Sequence, residues 1–547
     1  MAHAATLEPI VEPEVQPEVS SKLIQRPVDE HAHWKPAVNP WLIALAVIIP
    51  TFMEVLDTSI ANVALNNIAG SMSASYSQAT WVLTSYLISN AVVLPLTAWL
   101  GNRFQRKRFL LACIVIFTVS SLFCGLSVNL PMLLFMRVLQ GIGGGALAPI
   151  SQAILMESFP PKKQGIAQAL FGLGVVVAPV VGPVLGGWLT DSYSWRWIFY
   201  INVPIGLIAI WAIQQTVEDP PWVRNSDPGP FDGLGLIALS LWLGCQEVAL
   251  DKGQEDDWLS SIFIRWMVVL AIVGFITFIA RELRAKKPMV ELRIFKERNL
   301  AAGTALIFLT CVLLYSVGLL TPQFLQQLMG YSSLTAGIAT APLGLGAALS
   351  MILVGYLVSR VDPRIMILTG FAIFGIAAFM LSHVTLGVSP WTVFWPQILA
   401  GSAIGFLFIP VNVVATAQLN RDQLGSATGS MNLMRNVGGS VGIAMVSTFL
   451  ARRSQVHQTM LGSHITAENL TFLQTAQGFR GYLALHLPSS GNGLGAALAA
   501  LYRILQQQAW LLAFTDVYEA LAVVAVVSMV LVLLLRKVKV DTSVLLH

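Results

Sequence analysis

Charge is what this chain has least of: Asp, Glu, Lys and Arg make up 11% of its 547 residues, against about 25% in an ordinary soluble domain. With 55% of residues hydrophobic, that scarcity excludes a string of soluble domains and indicates a polytopic membrane protein. Cysteine is nearly as scarce. The four present, Cys113, Cys124, Cys245 and Cys311, all fall in apolar runs, so they read as small buried hydrophobes and not as disulfides or metal ligands. None of the eight histidines lies well inside an apolar run, His383 standing at the end of one. A histidine proton relay or a haem site has nothing to build on. There is no nucleotide-binding loop, no His/Cys set at metal-ligand spacing and no nucleophile motif, so no enzyme, metal site or organic cofactor is expected. The start of the chain lacks a basic segment followed by a short apolar core and a cleavage site, so a cleaved signal peptide is not expected.

Long apolar runs are what the chain does have. They fall near 41–67, 78–100, 109–129, 131–156, 165–190, 196–216, 232–250, 261–280, 300–325, 335–359, 364–383, 391–417, 425–450 and 515–535. Each is long enough to cross a hydrocarbon layer about 30 Å thick, which predicts an all-α fold of fourteen transmembrane helices. Residues 1–40 are acidic and rich in Pro and Val, and read as a disordered tail. Residues 537–547 form a second short tail. An even number of spans puts both termini on one side. That side holds 23 Lys and Arg, including Arg103, Arg106, Lys107, Arg108 and the cluster from Arg281 to Arg298, against seven on the other. Both termini are therefore expected in the cytoplasm.

The chain also repeats itself. At an offset of 260, Gly141, Gly145, Gly165, Ala167 and Gly182 fall on Gly401, Gly405, Gly425, Ala427 and Gly442 without a gap. At 257, Leu100–Arg103 falls beside Leu357–Arg360. The expected organisation is a six-helix half over 41–216, two inserted helices and a basic linker over 217–298, and a second six-helix half over 299–536. Paired halves of this kind are a transporter architecture, with the substrate site between them. Residues 451–514 read as a long loop on the outer side, with an amphipathic helix from Leu498 to Leu512. It is either a solvated insertion or a docking surface.

Two carboxylates break the first span. Glu54 and Asp57, three residues apart, share one helical face, and each costs roughly 2.5–3.5 kcal/mol near the bilayer centre. Span 4 adds Arg137, which stays charged and needs a carboxylate, carbonyls or water beside it. A change in their separation or water access would load and unload a proton, and the alternative is a static buried pair. The position matching Arg137 in the second half is Gln397, and the one matching Asp57 by sequence register is Leu314. The charged cluster thus belongs to one half. In span 5, Ala178-Pro-Val-Val-Gly-Pro-Val-Leu-Gly-Gly187 combines small residues that let helices approach closely with prolines that loosen the backbone.

These residues resemble a family. Leu56-Asp-Thr-Ser-Ile-Ala-Asn-Val-Ala-Leu65, Arg137-Val-Leu-Gln-Gly141, Gly182-Pro-Val-Leu-Gly-Gly187, Pro322-Gln-Phe-Leu-Gln326 with Gly330-Tyr331, Trp395-Pro-Gln397 and Arg435 are similar to the motifs of the major facilitator superfamily. Within it they match the fourteen-span drug:proton antiporters of the EmrB/QacA type, over about Pro40 to Arg536. The resemblance implies export of hydrophobic or amphipathic toxic compounds in exchange for protons, driven by the proton gradient. It implies proton coupling through Asp57, Glu54 and Arg137. It also implies an antiporter contact at Gly182, Pro183, Gly186 and Gly187. Asn62, Gln140, Gln323, Gln397 and Asn412 are the candidates for lining a substrate cavity between the halves. The outer loop looks like that of the EmrB subgroup, whose members work in the inner membrane with a periplasmic adaptor and an outer-membrane channel.

The chain departs from the family in places. Asn102 replaces the acidic residue of the loop after span 2, so the usual charge lock there is weakened or replaced. Asn66 stands where a proline is expected. Glu54 sits where relatives often carry a neutral residue. Two other readings stay open: an exporter of one metabolite, lipid or siderophore on the same scaffold, and a membrane scaffold that transports nothing.

Overall fold

The computed structural model describes residues 36–220, 232–285, 292–358, 360–387, 389–419, 421–463, 465, 470–486 and 493–537. Most of the acidic tail expected over 1–40, the middle of the basic linker and residues 538–547 lie outside them. Contacts divide the chain after Lys35, and every described residue falls in the second unit, Pro36–His547.

The apolar runs become helices whose starts are marked by side-chain chemistry. Asn39 caps α1 (Pro40–Ser71) by accepting the Trp41 N–H at 3.0 Å, with Pro40 at the first position. Proline there lacks only an N–H that the helix could not use. The same device opens α5 (Pro161–Ser192), α11 (Pro363–Ser382) and α12 (Pro390–Thr416). Between α1 and α5 come three helices. The first, α2 (Tyr76–Val93), continues through a 3-10 turn at Leu94–Leu96 into Thr97–Phe104. After it run α3 (Arg106–Gly125) and α4 (Leu130–Gly144, continued by Leu147–Ser158). The first half closes with α6 (Trp197–Tyr200 and Asn202–Thr216). The inserted pair is α7 (Gly233–Lys252) and α8 (Ile262–Arg284). The second half has α9 (Arg298–Gln323), α10 (Ser333–Thr340 and Pro342–Leu357), α11, α12, α13 (Arg421–Gly462) and, after α14 (Leu470–His486), α15 (Gly493–Val532).

No strand occurs among the described residues. Twelve of the helices there are long and apolar enough to cross a membrane. The other two expected spans, 78–100 and 165–190, are helical as well, as the interrupted α2 and the 32-residue α5. Cys113, Cys124 and Cys311 are buried, as their apolar setting implied, while Cys245 is half-buried, and all four are free.

The repeat seen in the sequence is a repeat of contacts. A Cβ on Gly141 of α4 would stand 2.4 Å from the Tyr86 carbonyl oxygen of α2, and one on Gly401 of α12 would stand 1.9 Å from the Leu343 carbonyl oxygen of α10. Both glycines therefore seat the fourth helix of their half directly on the backbone of the second. Between the halves, α5 meets α10, where Gly337 admits Val184. On the side where α1 begins, Gln152 of α4 accepts a 3.5 Å hydrogen bond from Asn432 of α13.

The inserted hairpin sits beside this seam. Trp242 packs on Phe275 and Phe278, and their cluster takes in Leu433 of α13, with Ala91 of α2 and Met434 and Val437 of α13 against it. Asp232 caps α7 through the Gly235 N–H at 2.9 Å and pairs with Arg281 of α8 at 3.0 Å. Desolvation pushes its carboxyl up, but the Gly235 N–H and the Arg281 guanidinium outweigh this and hold it below the usual range.

The stretch expected as a long outer loop is largely helical where described. The helix α13 spans 42 residues and α15 spans 40, roughly 60 Å each at 1.5 Å per residue. That is about twice the hydrocarbon thickness. Ala451 to Leu461 contains neither Gly nor Pro, and Ala496 to Ala513 is rich in Ala, Leu and Gln. Nothing stops either helix at the bilayer surface. Asp516 of α15 joins them, contacting Arg453 Nε at 2.5 Å and His457 Nε2 at 2.7 Å, and α14 packs on α15.

Candidate functional site

Asp57 and Arg137 meet. Arg137 Nη1 donates to Asp57 Oδ2 at 2.5 Å, and both side chains are essentially fully buried, at 0% and 1% exposure. The pair is not isolated. Asp57 Oδ1 also accepts from Gln140 Nε2 at 2.9 Å and from Asn202 Nδ2, on α6, at 2.7 Å. Arg137 Nε donates to the Val82 carbonyl of α2 at 2.9 Å, and Nη1 also reaches Gln140 Oε1 at 2.8 Å. Its guanidinium lies 4.3 Å from the centre of the Tyr86 ring, a cation–π contact in a dry setting. Ser121 of α3 accepts from Gln140 and Asn202 at 3.2 and 3.0 Å and donates to the Phe199 carbonyl. A buried charge pair survives only with such bonds to its remaining polar atoms. Arg137 Nη2 and Asn202 Oδ1 remain without a hydrogen-bonding partner among the described residues.

Glu54 lies beyond this cluster. Its Oε1 accepts from Asn90 Nδ2 at 3.0 Å. Its Oε2 is buried with no hydrogen-bonding partner among the described residues. Asn90 also lies 3.5 Å from the Tyr86 hydroxyl. A line of side chains therefore runs from Asp57 through Arg137, Tyr86 and Asn90 to Glu54. An orphaned carboxyl oxygen in an apolar interior is costly, and it is the kind of atom a proton satisfies.

The span 5 motif is placed against this line. A Cβ on Gly182 would stand 2.4 Å from Ser59 Oγ, and one on Gly186 would stand 3.2–3.3 Å from three atoms of Ile60. Gly182 and Gly186 thus bring α5 onto α1 one turn past Asp57, while Val184 between them faces Gly337 of the other half. Gly187 is buried. Pro183 lies within α5, and its side chain is outside the described ones.

The cavity candidates fall in different places. Gln140 is fully buried within the Asp57 cluster, both ends of its amide engaged. Gln397 is buried and donates to Thr321 at 2.9 Å, which lies 3.0 Å from the Tyr518 hydroxyl. Gln323 is half-buried and bonds to Gln327, and Asn412 is half-buried and donates to the Phe408 carbonyl. Asn62 is exposed. Near Asn102, Arg106 at the start of α3 pairs with Glu157 at the end of α4, and the Lys107 N–H donates to Asp219 at 2.9 Å. A charge lock is present there, built from other residues.

Sequence reading missed several members. Tyr86, Asn90, Ser121 and Asn202 are ordinary polar residues in apolar runs, with no spacing to mark them. Glu247 on α7 was detectable: a carboxylate inside the apolar run 232–250 carries the same signal as Glu54 and Asp57.

Two related helical halves, close glycine-seated helices and a buried charge cluster near the seam define a membrane transporter. The Major Facilitator Superfamily pattern matches residues 47–443, and the chain belongs to that superfamily, among its EmrB-type members. It is 36% identical to the multidrug export protein EmrB of Haemophilus influenzae, over 83% of this chain and 91% of the relative. It is 34% identical to the fatty acid resistance protein FarB of Neisseria gonorrhoeae, over 92% and 97%. It is 30% identical to the colistin resistance protein EmrB of Acinetobacter baumannii, over 93% and 99%. Among solved structures, a bacterial homologue of the human lysosomal transporter Spinster superposes with a TM-score of 0.51 at 18% identity, covering 90% of this chain and 96% of that one. A D-xylose–proton symporter does so with 0.53 at 15%, covering 75% and 90%. At these identities the structures speak for the fold alone.

Proposed function

We propose that this protein is a proton-coupled multidrug efflux antiporter of the bacterial inner membrane, both termini in the cytoplasm, working as the motor of a tripartite pump. One observation supports the proton role above the others. Of two carboxylates on α1, Asp57 is held by Arg137, while Glu54 Oε2 is buried without a hydrogen-bonding partner among the described residues. Glu54 takes a proton in this conformation, and Asp57 becomes the acceptor when Arg137 is drawn away. Gly182, Pro183, Gly186 and Gly187 form the contact on which α5 moves against α1 and α10. A proton entering down about 100 mV contributes roughly 2.3 kcal/mol, so a neutral substrate needs only one. The relatives named for multidrug export and colistin resistance support the substrate class.

The helical projection made by α13, α14 and α15 is the surface assigned to a periplasmic adaptor that leads to an outer-membrane channel. Its support is the length of two helices, which continue beyond their apolar runs by roughly 18 Å in α13 and roughly 33 Å in α15.

The test is ΔpH-driven efflux from proteoliposomes, comparing wild type with Asp57→Asn, Glu54→Gln and the double variant. Both single variants slow efflux, and the double one abolishes proton-driven movement. Undiminished coupling in the double variant refutes the assignment.

A narrower reading, preference for amphipathic anions, is favoured by Arg435. This half-buried cation of α13 lies over the Phe408 ring, and its Nε has no hydrogen-bonding partner among the described residues. One relative is named for fatty acid resistance. Competition of a medium-chain fatty acid against a lipophilic cation, in wild type and Arg435→Gln, decides it.

A further inference from the structure

Lys252 closes α7 as a cation with almost no exposure, 3%. Its Nζ donates to Thr80 of α2 and to Glu255 at 3.0 Å, and it lies 5.5 Å from the centre of the Trp81 ring. Asp251 beside it accepts from Thr84 of α2. Further along the pair, a Cβ on Gly244 of α7 would stand 3.5 Å from Ile88 Cγ2, and Ala91 packs on the cluster around Trp242. Thr80, Thr84, Ile88 and Ala91 follow one another at helical spacing, which makes them one stripe along α2. The inserted hairpin therefore lies along the first half, fastened at its outer end by charged groups.

Toward the second half its contact is apolar packing. Leu433 of α13 is buried in the Trp242 cluster, and Met434 and Val437 lie against it. At the inner end, α13 meets α2 itself at the turn Leu94–Leu96. Next to that turn the hairpin covers the line along which α2 and α13, from opposite halves, face each other. We propose that Lys252 and Asp251 fasten the inserted hairpin to the first half, so that it travels with α2 and slides over α13 as a seal on the seam between the halves.

The two contacts differ in what it costs to break them. A buried ammonium that loses its acceptors is left uncompensated away from water, a large penalty. Leu433, Met434 and Val437 impose no directional geometry, and apolar side chains exchange neighbours when packed helices shear past one another in small steps. A transporter with paired halves exposes its site by rocking one half against the other, so the seam between α2 and α13 changes width in each cycle. Lipid or water entering it would short-circuit the gradient that drives transport. A cover fixed on one side and sliding on the other keeps the seam closed throughout. The device needs only that the halves move, and it stands whether or not Asp57 and Glu54 carry the protons.

The test measures distances and leak separately. Ser71, Ser260 and Thr385 are exposed at the outer ends of the first half, the hairpin and the second half. Spin labels are placed pairwise at Ser71→Cys, Ser260→Cys and Thr385→Cys in the full chain with its four native cysteines replaced by alanine. Pulsed dipolar spectroscopy in lipid nanodiscs then follows the three distances while pH or a bound lipophilic cation shifts the Ser71–Thr385 distance. The expected result is that Ser260–Thr385 follows Ser71–Thr385, while Ser260–Ser71 stays fixed. The double variant Lys252→Met with Asp251→Ala keeps much of the packing and removes the fastening bonds. It should broaden the Ser260–Ser71 distribution and, in liposomes without substrate, discharge an imposed ΔpH severalfold faster than wild type. A Ser260–Ser71 distance that changes as much as Ser71–Thr385 overturns the proposal. So does a double variant with wild-type Ser260–Ser71 distances, or one that loosens the hairpin without added leak.

Discussion

Gln397 of α12 stands 260 residues after Arg137 of α4 and does in the second half what Arg137 does in the first. Arg137 bonds to Asp57 of the first helix of its half, which in turn is held by Asn202 of the last. Gln397 bonds to Thr321 of the first helix of its half, which in turn meets Tyr518 of the last. One three-helix junction is built twice, once with charges and once without. The neutral version packs, so the fold does not need the charges, and the charged version is retained for what charge can do.

The first prediction follows from that pairing. Asp57→Asn should cost stability, because it leaves Arg137 buried without its counter-charge, a loss of about 3–5 kcal/mol for a broken buried pair. The double variant Asp57→Thr with Arg137→Gln, which copies the second half, should melt closer to wild type than either single variant. It should nonetheless lose ΔpH-driven efflux. Thermal unfolding in detergent and the liposome assay read the two effects separately. A double variant as unstable as the singles would show that the junctions are not interchangeable.

Glu54→Gln should leave folding near wild type, because the amide oxygen can still accept from Asn90. Its efflux should lose pH dependence over the range in which the wild type responds, measured as initial rate against internal pH. An unchanged pH profile would exclude Glu54 as a proton acceptor.

Gly182→Ala puts a methyl 2.4 Å from Ser59 Oγ and 2.6 Å from its Cβ. Overpacking of this kind costs about 1–3 kcal/mol, and α5 must move away from α1. Efflux should fall at least tenfold, and adding Ser59→Gly should restore most of it by clearing the clash. Failure of that rescue would mean that backbone looseness at this glycine, and not close approach, is what transport requires.

Removing α14 should spare efflux from liposomes, since α14 packs on the projecting α15. The same deletion should abolish resistance in cells if the projection holds an adaptor. Loss of both activities would make the projection part of the transport fold.

Residue by residue, the sequence and the tertiary structure divide the work clearly. The repeat was readable because Gly141 and Gly401 must both let one helix backbone touch another, and no other residue type fits at that distance. That Arg137 would need one of the two carboxylates of the first span was readable, because a charge inside an apolar run cannot be left alone. What linked them could not be foreseen. Tyr86, Asn90, Ser121 and Asn202 are polar residues like many others until packing turns them toward one point. Sequence register paired Asp57 with Leu314, whereas bonding pairs it with Thr321, because side-chain reach and not residue offset decides which groups meet.

The extent of α13 and α15 was hidden for a different reason. Hydropathy reports where a helix leaves lipid, not where it ends, and a polar, Gly-free segment goes on as helix in water. Composition, periodicity and basic-residue imbalance thus determined the membrane class, the halves and the carriers of charge. Only the tertiary structure decided which carboxylate is paired, which has an oxygen to spare, and that the inserted hairpin lies against both halves at once. Those outcomes depend on distances of a few ångströms between residues far apart in the chain.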